Sequence, residues 1–452
     1  GDEGIFAAVG RNLNLGGTLY QTAWDNKPPM IYLTYAVIFK FFGVSMFWLH
    51  LAAAVIVLAT AAAVYEIGQA IFGEKRALVA TLVFGILTSL RLIEGNLALT
   101  EIFMILPITL AMLLAVKRKF DFISVFVAGF LFAVASLYKQ VGAFEAAALG
   151  IFMFLYFKSF KDFFLRGVVI TIGFVVPYAA TVLYFLPRNL VADYIFAAYT
   201  YYSIYFEESP KYAQLITALK YSPIIAAGFY GLWKKFKEKE VNISHLFLLW
   251  MAFSFLGSYF SGRTYGHYLV QATTALSLVA ASFNFSLKPK TKQIIFALFF
   301  FVPIIYLTRV IFTNFISAGP LNQITYWQNF ADFARGQKTV DSYNNYFDGN
   351  VNTIMALSDF LKSSNASGQY VYIWGDYPWL YAIADLKDPS RYVTSFHVFG
   401  VPNGKEEVVK SLEANPPVFI IKPQSSIGYF IDLEKLISSE YTLLVKVEGS
   451  EI

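Results

Sequence analysis

Apolar runs of roughly 17 to 25 residues, the length that carries a helix across the hydrocarbon core of a bilayer, recur along this chain from about residue 45 to about residue 313. Ten runs predict membrane helices near 45–72, 75–91, 98–116, 121–138, 142–157, 163–187, 213–233, 244–260, 265–286 and 293–313. A water-soluble fold cannot hide that much apolar surface, and a content of 57% hydrophobic against 14% charged residues points the same way. The stretch from Pro28 to Phe42 is shorter and contains Lys40, so it predicts a helix at the membrane interface rather than a span. Cysteine is absent, which removes disulfides, thiolate metal sites and a cysteine nucleophile. The chain opens at Gly1 in a polar stretch, and a membrane helix ahead of it is expected.

Lysine and arginine collect in alternate loops: Lys75 and Arg76; Lys117 to Lys119; Lys158, Lys161 and Arg166; Lys234 to Lys239; and Lys288 to Lys292. That bias marks one face as cytoplasmic. The opposite loops carry the unusual polar residues, so these are expected together on the non-cytoplasmic side. From about residue 319 Asn, Asp and Gly appear regularly, and strand-like runs at 370–374, 392–395, 418–422 and 442–447 alternate with helix-like runs at 351–363, 377–385, 405–413 and 432–438. The expected organisation is an α-helical polytopic membrane domain, 1–318, followed by a small extracytoplasmic α/β domain, 319–452.

Several polar groups on that face are candidates for chemistry. Asp2 and Glu3 open the chain, and Asp25, Asn26, Lys27, Pro28 and Pro29 follow in the same outer loop. Two prolines restrict the backbone beside the lysine, an arrangement suited to a base next to a phosphate ligand; a solvated polar loop is the alternative. Glu101 stands at the edge of a span, where an ionisable group is costly unless it is paired or faces a cavity, although it would also suit a helix N-terminus. Lys139 and Gln140 sit in a turn between spans, and a snorkelling lysine explains them equally well. Arg263, Tyr265, His267, Tyr268 and Gln271 form a polar entry to a span. If the helix already includes residue 263, Arg263 and His267 share a face that could grip a phosphate; ordinary helix-end polarity is the rival account. His50, His245 and His397 are scattered and suggest no metal triad. The tyrosines between 194 and 205 read first as an interfacial belt, with stacking on sugars as the second reading.

In this order and on one side, Asp2-Glu3, the Lys27-Pro28-Pro29 turn, Thr100-Glu101 and the run Arg263-Thr264-Tyr265-Gly266-His267-Tyr268 resemble the GT-C superfamily of glycosyltransferases. The likeness is to the bacterial relatives of protein O-mannosyltransferases and of the aminoarabinose transferase that modifies lipid A. This resemblance implies a GT-C-like fold and an inverting transfer of a sugar from a polyprenyl-phosphate donor to an extracytoplasmic acceptor. It implies Asp2 as general base, Glu3 as its orienting neighbour, Glu101 as a second acidic site residue, and Lys27 on the lipid phosphate, with Arg263 and His267 offsetting further charge. Asp25, Asn26, Lys139, Gln140, Tyr265 and Tyr268 are expected around substrate.

The expected partners are therefore the lipid-linked donor, the acceptor and the bilayer, without nucleic acid. No cofactor is expected, and a divalent metal stays open. The expected location is a prokaryotic plasma membrane. A transporter or lipid flippase is the alternative, although it would place ionisable residues or Gly/Pro breaks in mid-span rather than at one face. A non-catalytic scaffold is a further rival, and it leaves the sided polar residues unexplained.

Overall fold

The computed structural model describes residues 1–207, 211–237, 241–260, 262–263, 265–282, 309, 312–316, 322–423 and 430–452. Along the chain run α1 (Asp2–Asn14), α2 (Met30–Phe42), α3 (Met46–Phe72), α4 (Glu74–Ser89), α5 (Thr100–Lys117), α6 (Phe122–Tyr138), α7 (Phe144–Tyr156) and α8 (Phe160–Phe185). Next come the short α9 (Val191–Ile195) and α10 (Tyr201–Glu207), then α11 (Lys211–Lys237), α12 (Leu246–Tyr259) and α13 (Val270–Ser282). Nine of the ten expected spans therefore coincide with helices, the ninth by its described part; the run at 293–313 lies almost wholly outside the described residues. Among those described, four helices are long and apolar enough by themselves to cross a membrane: 46–72, 100–117, 160–188 and 214–234. The chain is an integral, multi-pass membrane protein.

Two compact units divide the chain. One comprises Gly1–Leu49, Pro187–Tyr205 and Thr325–Ile452; the other comprises His50–Leu186 and Phe206–Ile324. The second unit is the helical bundle. Within it α6 packs on α5 and α8, and α13 packs on α4 and α12. A Cβ at Gly129 would lie 2.1 Å from the Ile170 carbonyl oxygen, and one at Gly173 would lie 2.1 Å from that of Phe126. These two glycines let α6 and α8 approach backbone to backbone, the close packing that stabilises helices where lipid offers no hydrophobic drive.

The first unit groups residues 1–49 and 187–205 with the C-terminal segment, a division that hydropathy at residue 319 does not reveal. In α2, Ile31, Tyr32, Tyr35 and Phe39 are buried, whereas Val37, Phe41 and Phe42 are exposed. The buried face packs on α1, where a Cβ at Gly10 would stand 2.8 Å from Tyr35 Cβ. The other face is apolar and open, as a helix lying along a membrane surface requires. The C-terminal segment pairs β1 (Val371–Ile373) in parallel with β2 (Phe419–Ile421), and β3 (Lys446–Val447) antiparallel with β4 (Ser450–Glu451). Helices Asn350–Ser363, Gly404–Ala414 and Ile431–Glu440 fall where the helix-like runs predicted them. The expected strand at 392–395 is a correction. Tyr392 makes one bridge, to Trp24, and Thr394 then caps the helix Ser395–Gly400, its hydroxyl accepting from the His397 N–H.

Candidate active site

The candidate residues divide between the two units. In the first, Asp2 and Glu3 occupy the opening turn of α1, exposed and half-buried respectively, where a helix N-terminus favours carboxylates. Gly4 follows because the next layer is tight: a Cβ there would lie 2.8 Å from Trp379 Cδ1. Asp25 is buried, accepting from the Tyr32 hydroxyl at 2.6 Å and facing His397 Nε2 at 3.3 Å. The Lys27 backbone is gripped at both ends, its N–H donating to Tyr32 Oη at 3.1 Å and its carbonyl accepting from the Tyr20 hydroxyl at 2.7 Å. Its ammonium donates to Asn26 Oδ1 at 2.6 Å and stands 6.0 Å from the Tyr202 ring. The loop is therefore built rather than merely solvated.

His397 organises this cluster. It is 2% exposed and meets the Trp24 ring edge-on at 4.9 Å. Burial holds its pKa below the ordinary histidine range; Asp25 opposes that shift, Lys27 adds to it, and Asp376 and Asp2 also register at the imidazole. It is thus neutral near pH 7, and Nδ1 has no hydrogen-bond partner among the described residues. The fold returns His397 to a loop more than 370 residues earlier, beside Asp25. Tyr194 and Tyr201 are also buried, on Tyr20 and Trp24 at 5.9 and 5.0 Å, so they form the floor of this cluster instead of a lipid-facing belt.

In the second unit, Glu101 is 2% exposed and takes the Lys139 ammonium at 2.5 Å on Oε1 and the Thr100 hydroxyl at 2.8 Å on Oε2. Lys139 also lies 3.6 Å from the centroid of the Tyr268 ring and is itself buried, which excludes a snorkelling lysine. Gln140 opens the following tight turn, half-buried. The segment 263–269 departs from expectation: Gly262 has φ +66, Tyr265 is extended, and a 3₁₀ turn, Gly266–Leu269, precedes α13. Arg263 therefore lies outside the helix, and the shared helical face with His267 does not form. A Cβ at Gly266 would sit 1.9 Å from the Leu92 carbonyl oxygen. That contact delivers His267 Nδ1 to Glu94 Oε2 at 2.5 Å, and the hydrogen bond holds the Glu94 carboxyl below its usual range. Tyr265 stacks on His267 at 5.5 Å.

The family model for dolichyl-phosphate-mannose-protein mannosyltransferase matches residues 26–185, from the Asn26-Lys27 turn through α8. The crystal structure of ArnT from Cupriavidus metallidurans bound to undecaprenyl phosphate shares 13% identity, with a TM-score of 0.55 over 100% of this chain and 93% of that one. Its apo state gives a TM-score of 0.59 at 13% identity, over 99% and 92%. This chain has the GT-C fold. Among curated proteins, none matches the sequence.

Two buried groups of this chain escape a reading of its sequence. Glu145, wholly enclosed in α7, accepts from Gln271 Nε2 at 2.9 and 3.1 Å and from the Ser254 hydroxyl at 2.9 Å. Its position inside an apolar run was the available signal, since a carboxylate there needs partners. His397 carried no local signal, because its partner lies far away in sequence. Among the described residues no group of three or more His, Asp or Glu gathers as a metal site.

Proposed function

We propose that this GT-C chain is a glycosyltransferase that moves one sugar, with inversion, from a polyprenyl-phosphate-linked donor to an acceptor outside the cytoplasm. One observation carries the reading beyond the fold: Asp25 faces the buried His397 at 3.3 Å and Lys27, two residues on, is held through its backbone by Tyr20 and Tyr32, so an acidic and a basic group are fixed in one built loop. The family-model match beginning at that turn supports it, as does the likeness to a structure that holds undecaprenyl phosphate.

Burial separates the roles. Asp25 has both oxygens engaged, by Tyr32 and His397, and serves as framework. Asp2 is exposed, open to take the acceptor hydroxyl proton as that oxygen attacks the anomeric carbon. The bond from the anomeric carbon to the phosphate oxygen then breaks, and negative charge gathers on the leaving lipid phosphate. Lys27, fixed by two tyrosines and two prolines, is placed to meet that charge. Glu3 orients the loop. Glu101, neutralised by Lys139, holds structure rather than accepting protons. The Lys/Arg bias of the loops supports an outward-facing site, on this reading in a prokaryotic plasma membrane.

The test is transfer of radiolabelled sugar from short-chain polyprenyl-phosphate donors by the full chain in membranes. Asp2→Asn is expected to lower transfer by about 10² or more while donor still binds. Lys27→Ala is expected to weaken donor binding as well. Donors neither bound nor consumed across a broad sugar panel would overturn the proposal, and facilitated movement of the intact lipid between leaflets would replace it with transport.

A further inference from the structure

A cleft of about 620 Å³ lies within the first unit, between the C-terminal turn of α1 and the helix Gly404–Ala414. Its size is that of a small-molecule site, and neither Asp2, Lys27 nor His397 lines it. Asn12, on its wall, is ten residues along α1 from Asp2, about 15 Å at the helical rise, so a group bound there is out of reach of the proposed base.

The frame of the cleft is already satisfied. Arg391 forks onto Glu407, Nε to Oε2 at 3.0 Å and Nη2 to Oε1 at 3.1 Å, and the Tyr392 hydroxyl donates to Oε2 at 2.7 Å. The Trp24 N–H donates to the Arg391 carbonyl at 2.8 Å, tying the two walls together. Glu407 is thereby neutralised. Asp388 Oδ1 accepts from the Ser390 N–H and hydroxyl at 2.9 and 3.1 Å, and the Tyr381 hydroxyl stands beside the same carboxyl. Burial pushes this carboxyl up to about 8, so it brings little negative charge to the cleft at neutral pH.

What remains on offer is positive and polar. Lys387 and Lys410 are exposed and enter no ion pair among the described residues. Beside them stand the amides of Gln21 and Asn415, which both donate and accept, and the partly exposed Tyr370 ring. An apolar ligand would leave those amides unpaired, and a nucleic acid would need many more cations.

We infer that this cleft binds an acidic saccharide, its carboxylate or phosphate facing Lys387 and Lys410 and its hydroxyl-rich ring against the amides and Tyr370. The inference stands apart from sugar transfer, so a chain inactive as a transferase would still bind.

The test is calorimetric binding to the full chain in detergent, with mannose 6-phosphate and glucuronic acid as probes and mannose and inorganic phosphate as controls. Both acidic sugars are expected to bind saturably, about tenfold or more tighter than either control, a gap of about 1.4 kcal/mol. Lys387→Ala with Lys410→Ala is expected to erase that preference while leaving sugar transfer and the unfolding midpoint unchanged; Asp2→Asn is expected to bind as wild type. Presenting the sugar phosphate free or as a glycolipid headgroup in nanodiscs separates a soluble source from a membrane-borne one, and binding in either form supports the site. Equal affinity for mannose, equal affinity for inorganic phosphate, no saturable binding, or a preference that survives the double substitution would each overturn the inference.

Discussion

Replacing Lys139 by Met keeps most of the side-chain volume and removes its charge, leaving Glu101 buried without a counterion. The pair has side chains 7% and 2% exposed, and its Nζ to Oε1 distance is 2.5 Å. At an effective dielectric near 20, two unit charges already attract by about 4 kcal/mol at 4 Å, and breaking a buried pair typically costs about 3–5 kcal/mol. Lys139 also covers the Tyr268 ring at 3.6 Å, a contact worth about 2 kcal/mol when desolvated. The expected loss for Lys139→Met is therefore about 3–5 kcal/mol, because Glu101 escapes part of the penalty by taking up a proton. Equilibrium unfolding in mixed micelles measures it. Combining Lys139→Met with Glu101→Gln is expected to recover about 2 kcal/mol or more, since no uncompensated charge is left. A loss under about 1 kcal/mol, or strictly additive single substitutions, would refute the buried-pair reasoning.

Three further outcomes follow from particular contacts. Gly266→Ala is expected to destabilise by about 1–3 kcal/mol and to release His267 from Glu94, because its Cβ meets the Leu92 carbonyl; wild-type stability and an unchanged His267 imidazole NMR signal in that variant would contradict the contact. His397 has a folded pKa below 6.5, so the unfolded chain binds more protons; the stability it confers is complete above about pH 6.5 and declines as pH falls. His397→Gln should flatten that acid-side decline, and an unchanged pH profile would show that the imidazole is not held neutral. Asp388 has the opposite sign: its folded value of about 8 lies above the usual carboxyl range, so stability falls as pH rises toward 8. Asp388→Asn is expected to remove that fall, and a variant losing stability equally at pH 5 and pH 9 would indicate lost packing instead.

The spans were legible because one kind of residue repeated over a fixed length is a local signal: α3 through α8 each begin and end within a few residues of the apolar runs. The helices at 350–363, 404–414 and 431–440 were legible for the same reason, as alternating patterns within short windows. Lys27 beside two prolines and Glu101 at a span edge also stood out locally. Long-range pairing left no such trace. Nothing near Asp25 announces His397, nothing near Gly266 announces the Leu92 carbonyl, and the tyrosines of 194–202 look like a membrane belt until Tyr20 and Trp24 cover them. The sequence by itself determined a polytopic helical membrane protein with a terminal α/β segment, because hydrocarbon admits few ways to satisfy a backbone. Only the tertiary structure decided which carboxylates are paired and which stand exposed, because that depends on groups distant in sequence whose approach is set by packing.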